Sequence, residues 1–261
     1  MATIFTWNIL HGGGRRTPEI LLRLLASQAD VLVLSEYRSS RGGGVRGVLA
    51  DHGWGYQQCT DPAPGRNGLL VASRVPLGEV QGAAPPEALA GKWAMVDIPD
   101  LGFSLAGVHI PESRTGTAKY EAWAFVLDVA RSRAKMPFVI AGDLNTGRTG
   151  QDEEQPVLTC SAFMGRLWTV GYRDAWRELH PDDREYSWYS HEGNGFRLDH
   201  VLVSAPLAER LDAAWYAHDD RVSGLSDHAS LTVRLKGASS AGRHDPDDSS
   251  EFPRFFGQVD A

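Results

Sequence analysis

The chain has 261 residues, 42% of them hydrophobic, and a formal net charge of −7. That length supports the core of one large domain or two small ones, and the acidic balance argues against indiscriminate binding to nucleic acid. No apolar run is long enough to span a bilayer, the N-terminus lacks the basic-then-apolar pattern of a signal peptide, and two cysteines, Cys59 and Cys160, are too few and too far apart for a disulfide framework or a thiolate metal site; the chain reads as a soluble cytoplasmic protein with reduced thiols.

In chain order, the alternation of TIFTWNIL predicts a first strand. HGGGRRTPEILLRLLASQ predicts a glycine-rich loop and a helix, with Thr17 as N-cap and Pro18 at the first helical position. DVLVLSE predicts a buried strand ending at Glu36, and RSSRGGGVRG a flexible loop by composition. NGLLVAS, KWAMVDI and FSLAGVHI predict further strands, and TAKYEAWAFVLDVARSRA an amphipathic helix. MPFVIAGDLN predicts a buried strand with a polar C-terminal end. FMGRLWTVGYRDAW reads as helix and then turn, and YSWYS, FRLDHVLVS and SLTVRL as the closing strands. There is no internal repeat and no linker that cuts the body, so residues 1–236 are expected to form a single domain. Residues 237–261, rich in Ser, Gly, Asp and Pro, are expected to be an acidic, mobile tail in which FPRFF either docks on the body or contacts a partner.

Charge is uneven along the chain. Residues 1–50 carry a local balance of +3 and the tail a balance of −3. A basic patch on an acidic protein can meet a phosphate backbone, although each arginine alone reads equally as a solvated loop cation.

Apolar strands repeatedly end in polar groups: Asn8, Glu36, His109, Asp143 with Asn145, Asp199 with His200, and Asp227 with His228. Any one of these is weak evidence, because Asp and Asn favour strand ends and a lone histidine there is usually structural. Together they describe strand ends converging on one cleft. Asn8, Glu36 and Asp227 supply hard oxygens of the kind that hold Mg²⁺ or Mn²⁺ with room left for water and phosphate. Asp143 can activate water, Asn145 can hold that water or a phosphate oxygen, and a histidine fixed by a carboxylate can donate to the phosphate. The set points to phosphodiester or phosphomonoester hydrolysis. No Gly-x-Ser-x-Gly elbow points to a serine nucleophile.

The motifs TWNILHG, LSE, GVHIP, GDLN, RLDHVLVS and SDHAS, in that order over residues 1–235, resemble the endonuclease/exonuclease/phosphatase superfamily. The resemblance implies a four-layer α/β-sandwich of two mixed sheets packed face to face with helices outside. It implies a metal held chiefly by Glu36 with Asn8 and Asp227 near it, Asp143 and Asn145 placing the attacking water, His228 contacting the scissile phosphate, and Asp199 orienting His228, with His109 also in the catalytic set.

The C-terminal third is similar to exonuclease III and the abasic-site endonucleases, where the segment matching Trp188, Phe196 and Leu198 forms an apolar pocket for a base-less sugar. NGLLVAS fits as well, and Arg66 and Asn67 at its start join the substrate-binding candidates. The N-terminal third departs from that branch. Leu10 stands where those enzymes carry Asn or Asp, Tyr37-Arg38 where they carry Thr-Lys, and His109 where they carry tyrosine. A histidine at that point looks more like secreted DNases and phosphodiesterases of lipids or small molecules. The leading expectation is therefore a monomeric, divalent-metal-dependent, exonuclease III-like repair nuclease acting on duplex DNA. The alternatives are a phosphatase or phosphodiesterase of a small or lipid-like ester, and a non-catalytic binding module, against which the intact polar set speaks.

Overall fold

A computed structural model describes residues 1–60, 62–63, 65–112 and 117–237, without the side chains of 40–43. The expected tail, FPRFF included, lies outside the described residues apart from Gly237. The strands in chain order are β1 (Ala2–Asn8), β2 (Val31–Tyr37), β3 (Tyr56–Cys59), β4 (Gly68–Ser73), β5 (Gly78–Glu79), β6 (Trp93–Ile98) and β7 (Phe103–His109). They continue as β8 (Phe138–Asp143), β9 (Arg173–Asp174), β10 (Trp188–Tyr189), β11 (Gly195–Phe196), β12 (Asp199–Val203), β13 (Leu211–Ala217) and β14 (Ser230–Leu235). The longer helices are α1 (Thr17–Ser27), α2 (Ser39–Asp51), α3 (Ala118–Arg133) and α4 (Ala162–Val170).

Two six-stranded sheets form, in the orders β13-β14-β1-β2-β4-β3 and β5-β6-β7-β8-β12-β9. Each is mixed: β1 runs parallel to β2 and β7 parallel to β8, and their other pairings are antiparallel. Strand side chains alternate between faces, so each sheet has two apolar faces to cover. Ile4, Val31, Val33, Val71, Leu105, Val139 and Val201 fill the space between the sheets. Phe5, Leu32 and Leu34 turn outward onto α1 and α2, and Ala106, Val108 and Ile140 turn outward onto α3 and α4. The result is the four-layer sandwich. At Gly107 a Cβ would lie 2.8 Å from Leu69 Cδ2 and 3.1 Å from Val71 Cγ2, so the missing side chain is what lets the two sheets close on each other there.

Three local expectations are corrected, and one strand without a sequence signal appears. Residues 39–51 form α2 rather than a loop. Val45 and Leu49, four apart, are buried against the first sheet; burying each is worth about 1.5–3 kcal/mol, which offsets the cost of roughly 1 kcal/mol for each helical glycine. Thr17 does not cap α1. Gly12, Gly13 and Gly14 all have positive φ, a 3₁₀ turn precedes the helix, and the threonine hydroxyl donates to Gly14 O at 2.7 Å. FRLDHVLVS is not one strand but two, because Gly195–Phe196 pairs with Trp188–Tyr189 in a small separate sheet before β12 begins at Asp199. LDAAWYA, which carries no clean period, is strand β13 on the edge of the first sheet. Among the described residues no helix is long and apolar enough to cross a membrane.

Candidate active site

The C-terminal ends of β1, β2, β7 and β8 and the N-terminal ends of β12 and β14 bring their polar residues to one edge of the sandwich. In the second sheet Asp143 is the Cα partner of His109 on β7 and of Asp199 on β12, so a histidine and two aspartates stand in one row across three strands. Asp143 follows Gly142, whose φ is +145° and where a Cβ would collide with Val108 O, so only glycine turns the strand end this way. In the first sheet Asn8 ends β1, and Glu36 is the extra residue of a bulge between Ser35 and Tyr37, with φ +58°. Such a conformation costs a non-glycine residue about 1–3 kcal/mol and re-aims its side chain off the sheet face.

Asn8 joins the two sheets. Its Nδ2 donates to Asp143 Oδ2 at 2.9 Å and lies 3.5 Å from Glu36 Oε1, while its Oδ1 accepts from the Leu10 amide at 3.0 Å. Asp143 Oδ1 accepts from the Asn145 amide at 3.0 Å, and Asn145, at φ +48°, is held by its own Nδ2 on Ile110 O. His228 Nδ1 lies 2.7 Å from Asp199 Oδ2, and its Nε2 faces Asp143 Oδ2 at 4.0 Å. His109 Nε2 lies 3.7 Å from the same oxygen, and His109 Nδ1 has no partner among the described residues.

Burial and charge sort these groups. Burial, with Asp199 beside it, pushes Asp143 up to about 7. Burial also pushes His109 down to about 4, so that imidazole is neutral at pH 7. For His228 burial works against the charge, but Asp199 and Asp143 outweigh it and raise the group to about 10. For Glu36 burial again opposes charge; His109, the His11 amide and His11 win, and the carboxyl stays below its usual range. The site thus holds an imidazolium, a neutral imidazole, an ionised glutamate and an aspartate that titrates near neutrality.

Asn8, Glu36, His109, Asp143, Asn145 and His228 floor a cavity of about 780 Å³, in the range of sites that enclose a small ligand, and Asp199 is buried behind His228. Its wall is apolar on one side, where Trp188, Phe196 and Leu198 stand, with the Trp188 and Phe196 rings 5.8 Å apart. The loop after Asp143 supplies Val157 and Leu158, whose amides donate to the buried Glu153 Oε2 at 2.9 and 2.8 Å.

The structure therefore gathers Asn8, Glu36, His109, Asp143, Asn145, Asp199 and His228, with Trp188, Phe196 and Leu198 beside them. Asp227 does not line that cavity; its Oδ1 lies 3.5 Å from Ser226 Oγ, which donates to Asn8 O. Asp227 is exposed and accepts from Trp188 Nε1 at 3.2 Å; neighbouring residues point to opposite sides here, and His228 takes the inward one. Arg66 and Asn67 line a neighbouring cavity instead. His200 is structural: its Nδ1 is 2.8 Å from Asp174 Oδ2, in a buried network with Arg197 and Asp152.

Two lysines of the cavity escaped the sequence reading. Lys92 sits at the mouth of β6 and left no signal. Lys119 did: it falls on the same helical stripe as the buried Ala122, Trp123 and Val126, and a charge on an apolar stripe needs a reason. Its ammonium donates to Asn145 O at 2.6 Å and to Glu112 Oε2 at 2.8 Å, which steadies the loop that carries Asn145.

A divalent cation fits Glu36 better than it fits the aspartates. Asp143, Asp199 and His228 bring donor atoms within 4.8 Å of one another, but His228 and Asp199 are committed to each other as an ion pair, and a protonated imidazole does not ligate. Glu36 is an ionised hard-oxygen donor that lines the cavity next to Asn8.

The model of the Endonuclease/Exonuclease/phosphatase family matches residues 5–228. The exodeoxyribonuclease III of Haemophilus influenzae is 32% identical over 123 residues, 38% of this chain and 46% of that protein; the match spans about half the length of that relative. A 3′ phosphatase from Neisseria, NExo, bound to a product DNA hairpin, superposes with a TM-score of 0.77 at 22% identity, covering 90% of this chain and 100% of that one. An AP endonuclease from Archaeoglobus fulgidus gives 0.77 at 20% identity, covering 90% and 99%. At these identities the structural likeness is one of fold.

Proposed function

Because the chain belongs to the endonuclease/exonuclease/phosphatase family, we propose that it is a divalent-metal-dependent phosphodiester hydrolase acting on DNA, a repair nuclease of the exonuclease III kind. The observation that carries the reading is the meeting of Asn8, Asp143 and His228 on the floor of one cavity, with Asp199 buried behind His228 and ionised Glu36 alongside.

The roles follow from charge and placement. Imidazolium His228, held in orientation by Asp199, offers its Nε2–H to a non-bridging oxygen of the scissile phosphate. Asp143 titrates near 7 and takes the proton of the attacking water. The Nδ2 of Asn8 orients that carboxylate, and the bond from the Asn145 amide holds its other oxygen. Neutral His109 offers a second hydrogen bond in the same row without adding charge. Glu36, with Asn8, would hold a Mg²⁺ or Mn²⁺ ion, which supplies charge neutralisation at the phosphate and at the leaving oxygen. Trp188, Phe196 and Leu198 offer an apolar surface to a sugar without its base.

One observation favours a second reading, a phosphodiesterase of small esters: His109 stands in the catalytic row at a position where repair enzymes carry tyrosine. A substrate panel with Mg²⁺ and with Mn²⁺ separates the two, using an abasic-site duplex, nicked and blunt DNA, single strands, RNA and a generic phosphodiester. The repair reading requires fastest turnover on the abasic duplex or on 3′ ends, and a steep loss of affinity with salt as counterions are released from the duplex. Fastest turnover on the generic ester, with little salt dependence, overturns it.

A further inference from the structure

Beside the catalytic cavity lies a second one of about 840 Å³. Lys92 and His109 line both, so the two are separated by a shared wall. Arg38 and Arg66 complete the basic side, and Glu87 is the only acidic residue among its described lining. Among the described residues none of the three cations has an ion-pair partner, in a protein whose net charge is −7. Arg38 is oriented rather than loose: its Nε donates to Asn67 Oδ1 at 2.6 Å, which fixes the guanidinium plane and turns its remaining fork to a bidentate acceptor. Burial lowers the pKa of Lys92, Glu36 and Asp143 pull it back, and Arg66 lowers it again, which sets Lys92 between the catalytic acids and the second cavity.

We propose that this second cavity is a phosphate subsite, in which Arg38, Arg66 and Lys92 hold the phosphate adjacent to the one being cleaved. Three cations without ion-pair partners along one concave wall, one of them oriented, repel one another, and a dianion or a diester oxygen pair relieves that repulsion. The proposal rests on the phosphodiesterase reading and narrows it to substrates with two phosphates near each other. The second phosphate has two sources, the next internal linkage of a strand or a terminal phosphate.

The test is a binding cycle on the full chain in EDTA, where no cleavage occurs. Fluorescent hexanucleotides carry one uncharged methylphosphonate at each internal linkage in turn, and labelled dinucleotides are compared with and without a terminal phosphate. Wild type, Arg66→Ala and Lys92→Gln are measured against each. We expect Arg66→Ala to weaken the fully charged strand about tenfold, and to cost less than about twofold on the strand whose methylphosphonate sits at the subsite, because the two changes remove the same contact. Coupling at an internal linkage assigns a backbone phosphate, and coupling seen only with the phosphorylated dinucleotide assigns a terminal one. Equal weakening of every strand, whichever phosphate is neutral, overturns the subsite. Adding Mg²⁺ to the same strands tests the underlying reading separately: intact coupling without cleavage sinks the hydrolase and leaves the subsite standing.

Discussion

Asn8 and Asp143 are 135 residues apart in the chain and joined by a 2.9 Å hydrogen bond, the end of β1 in one sheet to the end of β8 in the other. The site is thus a seam between two sheets, and the precision of its geometry depends on how those sheets pack. Each expected outcome below follows from a contact at or behind that seam.

Asp199 and His228 act as one unit. Asp199→Asn removes the charge that holds the imidazolium, and His228→Ala removes the imidazolium itself. Each should lower kcat by about 10²–10⁴-fold, and the double variant should be little worse than the single ones. Losses that multiply would show that the two residues contribute independently.

The pH profile of kcat/KM at saturating metal should be bell-shaped. Asp143 is active when ionised, so activity rises through about 7; His228 is active when protonated, so activity falls through about 10. Asp199 raises both groups, so Asp199→Asn should move both limbs to lower pH. A limb that stays in place removes that residue from the titration.

Glu36→Gln should abolish turnover at ordinary metal concentrations with the circular-dichroism melt nearly unchanged. The carboxylate is the charged donor of the candidate metal site, and glutamine can still accept the 2.8 Å bond from the His11 amide while giving up the longer 3.5 Å one from Asn8 Nδ2. Calorimetric titration with Mn²⁺ reads the loss directly. Full activity at saturating Mg²⁺ would take Glu36 out of the site.

Trp188→Ala and Phe196→Ala should lose cleavage at an abasic site by a larger factor than cleavage of undamaged 3′ ends. Phe196 is buried, so its truncation also costs about 3–5 kcal/mol of stability, whereas half-buried Trp188 gives the cleaner comparison. If the wild type cuts abasic and undamaged duplexes equally fast, the pocket has another occupant.

Arg197→Met should destabilise the fold by about 3–5 kcal/mol, because it strands the buried carboxylates of Asp152 and Asp174. That corresponds to a Tm lower by roughly 10 °C. A melt within a degree of wild type would mean that His200 and Arg177 compensate.

The sequence by itself determined the layers and the polar strand ends. A strand buried on both faces reads as a short apolar run, and a polar tip such as Asp143 after Val139–Ala141 interrupts that run in a way visible from neighbours alone. RSSRGGGVRG hid a helix because its glycines are weak local formers; only docking of Val45 and Leu49 on the first sheet makes it fold. Lys92 was invisible because its value comes from Arg66, Glu36 and Asp143, all distant in the chain. For the pairs Asp199-His200 and Asp227-His228, alternation dictates that neighbours point opposite ways but not which one faces the cleft. Pairing of β12 with β8 turns Asp199 inward beside Asp143 and leaves His200 to Asp174, and the approach to β14 turns His228 inward and Asp227 out. Side-chain direction in a sheet is set by register between strands, and register is a long-range property that no local pattern contains.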